Sequence, residues 1–285
     1  MSHPLLEMTE IKQAAGEYLR EIGKVFSVFD AQTQDSGNIS YGVQIGQQRF
    51  FVKTAGDPHD PRPFLPHEER VTLLQNAVRV RRSCSHSALP RLHNVIESAH
   101  GPLLVYSWVE GELLHAGSAT RQDPQSAMQR FRRLPRPEIM EALDVIFDLH
   151  CELAQTGWIA VDFYDGCLIY DFVCQEMHIV DLDMYRESPF VNEMGRMFGS
   201  SRYMAPEEFE RGVTIDERTN VFTMGRTAAN LMSDGTLDRS AFRGGDAHFD
   251  VVHRACSEER GQRYASVCDF YAAWIEAGTG TPRFS

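Results

Sequence analysis

The sequence predicts an α+β fold of two lobes, a β-rich N-lobe followed by a mainly α-helical C-lobe. Three observations carry that prediction. Short runs of β-type residues, separated by turn residues, fill most of residues 24–107. Apolar residues at helical spacing dominate after Gly111. A chain of 285 residues also suffices for one large domain or two lobes around a sizeable core. The expected division is an N-terminal helical extension over 1–22, an N-lobe over 23–108 and a C-lobe over 109–285, hinged near Ser107–Gly111.

In chain order, Leu5, Ile11, Ala15, Leu19 and Ile22 recur at close to helical spacing and predict a helix packed on the next part of the chain. Val25–Phe29, Ser40–Ile45 and Arg49–Lys53 read as three antiparallel strands in a meander, with a tight turn at Gly46–Gln48. The loop Gln32–Asn38 carries one glycine, Gly37, so it is not a Gly-rich phosphate loop. Lys53 ends the apolar run FFVK and by itself reads as a strand-terminal lysine reaching solvent. A linker rich in Pro and Asp, Asp57–Pro66, leads to a helix over 66–82, with Val71, Leu74 and Val78 on its apolar stripe. Glu68 and Glu69 fall in its first turn, where they favour the helix dipole. Pro90–Glu97 and Leu103–Ser107 add two strands, five in all for the lobe.

Five arginines between 121 and 136 read as a solvated helix and loop. Residues 137–154 form a strong amphipathic helix, with Ile139, Leu143, Ile146, Leu149 and Leu153 on one face and a stop at Gly157. A hairpin comes next, then a loop to about Tyr203, then helical segments to the end.

Composition bounds the function. A formal net charge of −12 and a pI near 5.4 argue against a general nucleic-acid partner. No apolar run reaches the roughly 18 residues of a membrane span. The 6 cysteines show neither a CxxC pair nor metal-site spacing, so reduced, partly buried thiols are expected. With no basic-then-apolar leader, this points to a cytoplasmic protein.

The candidate chemistry lies in Trp158–Asp183, WIAVDFYDGCLIYDFVCQEMHIVDLD. Two apolar β runs, Cys167–Tyr170 and His178–Val180, are each accompanied by an acid: Asp162 ahead of the first and Asp181 just after the second. Paired as a hairpin, they bring both carboxylates beside one cleft. Such a pair suits holding a divalent metal and positioning a hydroxyl for phosphoryl transfer.

The order of these landmarks, over roughly residues 22–275, resembles the eukaryotic-type protein kinase family, as a divergent member of Ser/Thr kinase type. Lys53 looks like the lysine of V-A-I-K that contacts the nucleotide phosphates, with Glu69 as its orienting acid and Glu68 as the alternative. Val105-Tyr106-Ser107-Trp108-Val109-Glu110-Gly111 is similar to the family hinge. That likeness implies adenine bonding by the Ser107 carbonyl and the Val109 amide, with Tyr106 as gatekeeper. Asp162 stands where the family has the aspartate of H-R-D, which accepts or orients the substrate hydroxyl proton. Ala160 and Val161 replace the histidine and arginine, and Cys167 replaces the asparagine that binds metal. Asp181-Leu182-Asp183 stands at D-F-G. The resemblance implies Asp181 as a Mg2+ ligand; Asp183, or Asp165 beside it, is the expected substitute for the ligand that Cys167 does not supply.

Gly199-Ser200-Ser201-Arg202-Tyr203-Met204-Ala205-Pro206-Glu207 looks like the end of an activation segment, which implies a buried ion pair between Glu207 and Arg263. Asp216 and Asn220-Val221-Phe222-Thr223-Met224-Gly225 resemble the start of the helix after that segment, with Asn220 in place of aspartate. The implied fold is bilobal and protein-kinase-like. The implied activity is ATP- and Mg2+-dependent phosphate transfer to Ser/Thr hydroxyls of a protein substrate, with Mn2+ as an alternative metal. Two further readings stand beside it: a pseudokinase acting as a nucleotide-binding or scaffolding module, and a small-molecule kinase. No nucleic acid or membrane partner is implied, and the oligomeric state stays open.

Overall fold

The computed structural model describes residues 3–32, 36–115, 117 and 120–279. It is α+β, with a β-rich N-terminal region and a helical C-terminal part, and divides into two compact units, Met1–Val109 and Glu110–Ser285.

The first unit opens with an irregular stretch and then α1, Ala15–Ile22. The helix is shorter than the apolar spacing over 1–22 suggests. Residues 3–14 instead run against a later strand near residues 92–97: Glu10 bridges Glu97, and the Asn94 amide donates to the carbonyls of Leu5 and Met8. Leu5 and Ile11 are buried by this tertiary contact rather than by a helix.

The strands are β1 (Lys24–Phe29), β2 (Ile39–Ile45) and β3 (Gln48–Thr54), then β4 (Leu92–Ile96) and β5 (Leu103–Ser107). They pair antiparallel in the order β1-β2-β3-β5-β4. Between β3 and β4 lies α2, His67–Ser83. The period-two alternation of strands sorts the faces. Val43, Phe50, Val52, Leu103 and Val105 join Leu19 and the N-terminal stretch, whereas Leu104 and Tyr106 pack with Leu74, Ala77 and Val78 of α2. Of the Gln32–Asn38 loop, residues 33–35 lie outside the described residues.

The second unit begins with β6, Glu112–Leu113, then α3 (Ala127–Arg132) and α4 (Arg136–Gln155). The arginines around α3 are partly solvated, Arg133 and Arg136 being exposed, but their guanidinium groups are also engaged. Arg130 grips both oxygens of Glu112 and lies over the Phe172 ring, while Arg132, Arg133 and Arg136 donate to the carbonyls of Asn230, Pro124 and Gly244. Guanidinium groups here close off chain ends that helices and turns leave unsatisfied.

Next come β7 (Trp158–Ile159), a 3₁₀ turn (Asp165–Cys167), β8 (Leu168–Asp171), β9 (Glu176–Ile179), β10 (Arg186–Glu187), β11 (Phe190–Val191) and β12 (Thr214–Ile215). The expected hairpin is β8–β9, in register Leu168↔Ile179 and Tyr170↔Met177, extended by β6 on the other side of β8. α5 (Glu217–Met232), α6 (Asp246–Ala255), α7 (Val267–Gly278) and 3₁₀ turns at Pro206–Phe209 and Arg260–Gln262 complete the chain's described elements.

The apolar face of α4 is buried as expected, Phe147 meeting Phe270 and Trp274 of α7 edge-on. Each such fully buried side chain contributes roughly 1.5–3 kcal/mol. On the same seam Cys151 and Cys268 form a disulfide, Cα atoms 4.9 Å apart. The expectation of six reduced thiols therefore fails at these two positions. They are 117 residues apart in sequence, and only the packing of α4 on α7 reveals the pair. The cytoplasmic expectation thereby loses its cysteine argument. Among the described residues, no helix is long and apolar enough to cross a membrane.

Candidate active site

In the first unit, Lys53 sits on β3 opposite Leu104 of β5, so it shares the α2 face of the sheet with Leu104 and Tyr106. It is 9% exposed, which overturns the reading of a lysine reaching solvent. A lysine buried on an apolar face needs compensation, since desolvation disfavours its charge.

Glu68 and Glu69 are both exposed on α2, and the residue the helix turns inward is Arg70. Its guanidinium donates to the carbonyls of Gly37, Ala55 and Asp57 and so ties the β1–β2 loop to the end of β3. The approach is close: a Cβ on Gly56, at φ +75°, would meet the Gly37 oxygen at 2.1 Å. The exposure of Glu69 gives its expected role beside Lys53 no support. Ser107 ends β5, its hydroxyl bonded to His93 Nε2 at 2.8 Å, and Val109 is the half-buried last residue of the unit.

In the second unit the two acids of the hairpin stand out by their backbone. Asp162 has φ 60° and Asp181 φ 63°, in the left-handed region that side chains other than glycine seldom adopt. Among the described non-glycine residues only Gln175, in the β8–β9 turn, shares it. Strain of this kind persists where the surroundings over-determine it, and it gathers at functional sites.

The surroundings are specific. The Cys167 thiol donates to the Asp162 carbonyl at 3.4 Å, and the Cys167 carbonyl accepts from the Val180 amide at 2.9 Å. One buried residue thus bonds the backbone of Asp162 and that of Val180, the neighbour of Asp181. Upstream, the Asn220 amide closes on both polar groups of Ala160. Beside Asp162, Phe163 packs against the His150 ring at 4.5 Å, and His150 Nε2 bonds the Tyr185 hydroxyl at 2.8 Å. A helix-borne histidine therefore links residues just downstream of both acids.

Asp162 lines a small pocket with Gly199, Met204, Glu208 and Thr223. A Cβ on Gly199 would lie 3.7 Å from Asp162 Cα, so the segment end passes directly over this aspartate. Glu208 is buried, with Oε2 accepting from the Ala205 amide at 2.7 Å. Burial pushes its carboxyl up to about 8, with the charges of Glu207 and Asp162 adding to that effect. Its neighbour Glu207 behaves oppositely. Burial would raise it too, but Arg263, with contacts of 2.7 and 3.1 Å, and Thr219 at 2.9 Å hold it below the usual range. The expected Glu207–Arg263 pair is thus present and buried.

Of the metal-ligand candidates, Asp181 is exposed, Asp183 is buried, and Asp165 is already engaged by His115 and Arg202. That engagement removes Asp165 as a substitute ligand. Cys167, with its thiol on the Asp162 carbonyl, is a structural tie. Among the described residues no group of three or more His, Cys, Asp or Glu side chains is placed to hold a metal. Carboxylate oxygens are the donor type that a hard ion such as Mg2+ takes, commonly one or two of them together with substrate phosphates. Sequence reasoning missed Arg70, Glu208 and the meeting of His115 and Arg202 at Asp165, which no spacing pattern announces. No family model matches this chain, and no curated protein matches it.

Proposed function

We propose that the chain is an ATP- and Mg2+-dependent phosphotransferase of protein-kinase type, acting on Ser/Thr hydroxyls. The observation that supports it best is the pair Asp162 and Asp181, both in left-handed backbone, with Cys167 bonded to the Asp162 carbonyl and to the amide of Val180, the residue before Asp181. A carboxylate at Asp162 orients the attacking hydroxyl and receives its proton as that oxygen bonds the γ-phosphorus, while the bond from phosphorus to the β,γ-bridging oxygen breaks and ADP leaves. Asp181 and Asp183 are the residues that would hold Mg2+, which when bound neutralises charge on the phosphates. Lys53 supplies a compact positive charge for the nucleotide phosphates.

A nucleotide-binding module without turnover is the second reading, favoured by the exposed position of Glu69 and the thiol at 167. Thermal shift with Mg2+·ATP tests the part common to both. The native chain should be stabilised by nucleotide, and Lys53→Ala and Asp181→Asn should lose most of that shift. Absence of any shift in the native chain removes nucleotide binding from the proposal.

A further inference from the structure

The 3₁₀ turn Asp165–Cys167 lies just downstream of Asp162, and both of its ends are anchored. Cys167 ties it to the backbones at Asp162 and Val180. At the other end the Asp165 carboxylate, 3% exposed, takes His115 Nδ1 on one oxygen at 2.9 Å and Arg202 Nη2 on the other at 2.6 Å. Arg202 belongs to the stretch Gly199–Glu207 that passes over Asp162. It is fixed on its main chain as well, where its carbonyl accepts from Arg226 Nε at 2.8 Å and Asn230 Nδ2 at 3.4 Å, both on α5. Its guanidinium lies 5.1 Å from the centre of the buried Tyr203 ring.

We propose that Asp165 is a positioning residue for Asp162, and that Arg202 docks the segment end on the Asp162 loop through it, with no phosphate needed on Ser200 or Ser201. This rests on the phosphotransferase reading for its kinetic part only. A phosphorylated segment is ordered when its phosphate finds an arginine. Here the residues preceding Asp162 are Ala160 and Val161, and the segment's own Arg202 already has a buried carboxylate partner. Charge-assisted contacts of this length are the strong class of hydrogen bond. The burial of Asp165 opposes its ionisation, but the bonds from His115 and Arg202 outweigh it and hold its carboxyl below the usual range.

The test uses the full chain, treated with phosphatase and shown by intact mass to carry no phosphate. Cleavage by a glutamate-specific protease after the exposed Glu193 reports docking, and kcat and KM for ATP report positioning. Phosphate-free protein and the Ser200→Ala/Ser201→Ala variant should be cleaved slowly and turn over alike. Arg202→Met and Asp165→Asn should be cleaved faster, with kcat lower by about ten- to a hundred-fold and KM for ATP unchanged. Arg202→Lys, which keeps the charge, should fall between; cooperative melting of each variant excludes global unfolding as the cause. The proposal is overturned if phosphate-free protein is cleaved as fast as Arg202→Met, or if Arg202→Met matches the native chain in both readouts. Slow cleavage of the native chain with faster cleavage of the variants, but no phosphate transfer by any of them, leaves docking intact and defeats the phosphotransferase reading instead.

Discussion

Asn220 holds both polar groups of the Ala160 main chain: its Oδ1 accepts from the Ala160 amide at 2.6 Å and its Nδ2 donates to the Ala160 carbonyl at 2.8 Å. Only a side chain that both donates and accepts can do this, which accounts for an amide at 220 rather than a carboxylate. The clamp fixes the strand-to-loop entry just ahead of Asp162.

Asn220→Asp keeps the acceptor, loses the donor and places a charge at a position 3% exposed. The expected cost is about 1–3 kcal/mol, from the unsatisfied Ala160 carbonyl and the desolvated carboxyl. Urea unfolding should show a lower midpoint at unchanged slope. An unchanged midpoint contradicts the clamp.

The Glu207–Arg263 pair is buried on both sides, and removing Arg263 leaves Glu207 only the longer Arg260 contact, at 3.5 Å, and the Thr219 hydroxyl. Arg263→Met should destabilise the second unit by about 3–5 kcal/mol. Because the Glu207 carboxyl is depressed, its contribution is present above its unfolded value and lost as pH falls through the folded one. Acid unfolding of Arg263→Met should therefore be less steep below about pH 4.5. Equal steepness in the two proteins counts against the pair as a source of stability.

Glu208 has the opposite sign. Its folded value, about 8, lies above its ordinary 4.5, so the folded state binds more protons between those values and stability falls as pH rises from about 4.5 to about 8. Glu208→Gln keeps an oxygen for the Ala205 amide and removes the titration. It should flatten that decline and raise stability above pH 8, an effect on the order of a few kcal/mol. Melting temperatures of both proteins across this range decide the matter, and parallel curves contradict it.

The Cys151–Cys268 bond closes a span of 117 residues, so its loss should cost about 2–5 kcal/mol. Cys268→Ser and reduction of the native chain should lower the melting temperature alike. In the unreduced folded protein a thiol reagent should label Cys174 first, because Cys84, Cys167 and Cys256 are buried. Labelling at Cys151 shows the bond is absent.

How far the sequence reveals the molecule depends on where the determining physics lies. The five-stranded sheet and α4 are legible because their signals are local: alternation with turn residues, and an apolar stripe at helical spacing. The two-residue strands β7, β10, β11 and β12 are not, since each exists only through its partner. Asp162 and Asp181 stand out as acids flanking β runs, while their left-handed backbone and the link through Cys167 need coordinates. His115 and Arg202 meet at Asp165 from distant parts of the chain, and no periodicity announces such a meeting. Glu69 illustrates the converse error. A helix register points to it, yet α2 turns Arg70 inward to satisfy the carbonyls of Gly37, Ala55 and Asp57.

The most direct test of the proposed activity is transfer from γ-labelled ATP, with Mg2+ or Mn2+, to Ser/Thr-containing acceptor proteins or to the chain itself. Lys53→Ala, Asp162→Ala and Asp183→Asn are assayed alongside the native chain. Metal-dependent transfer by the native chain is expected. Asp162→Ala should lose it by about 10²-fold or more, and Lys53→Ala and Asp183→Asn should each fall well below the native rate. Full transfer by Asp162→Ala, or none by a native chain that binds nucleotide, would contradict the proposed activity.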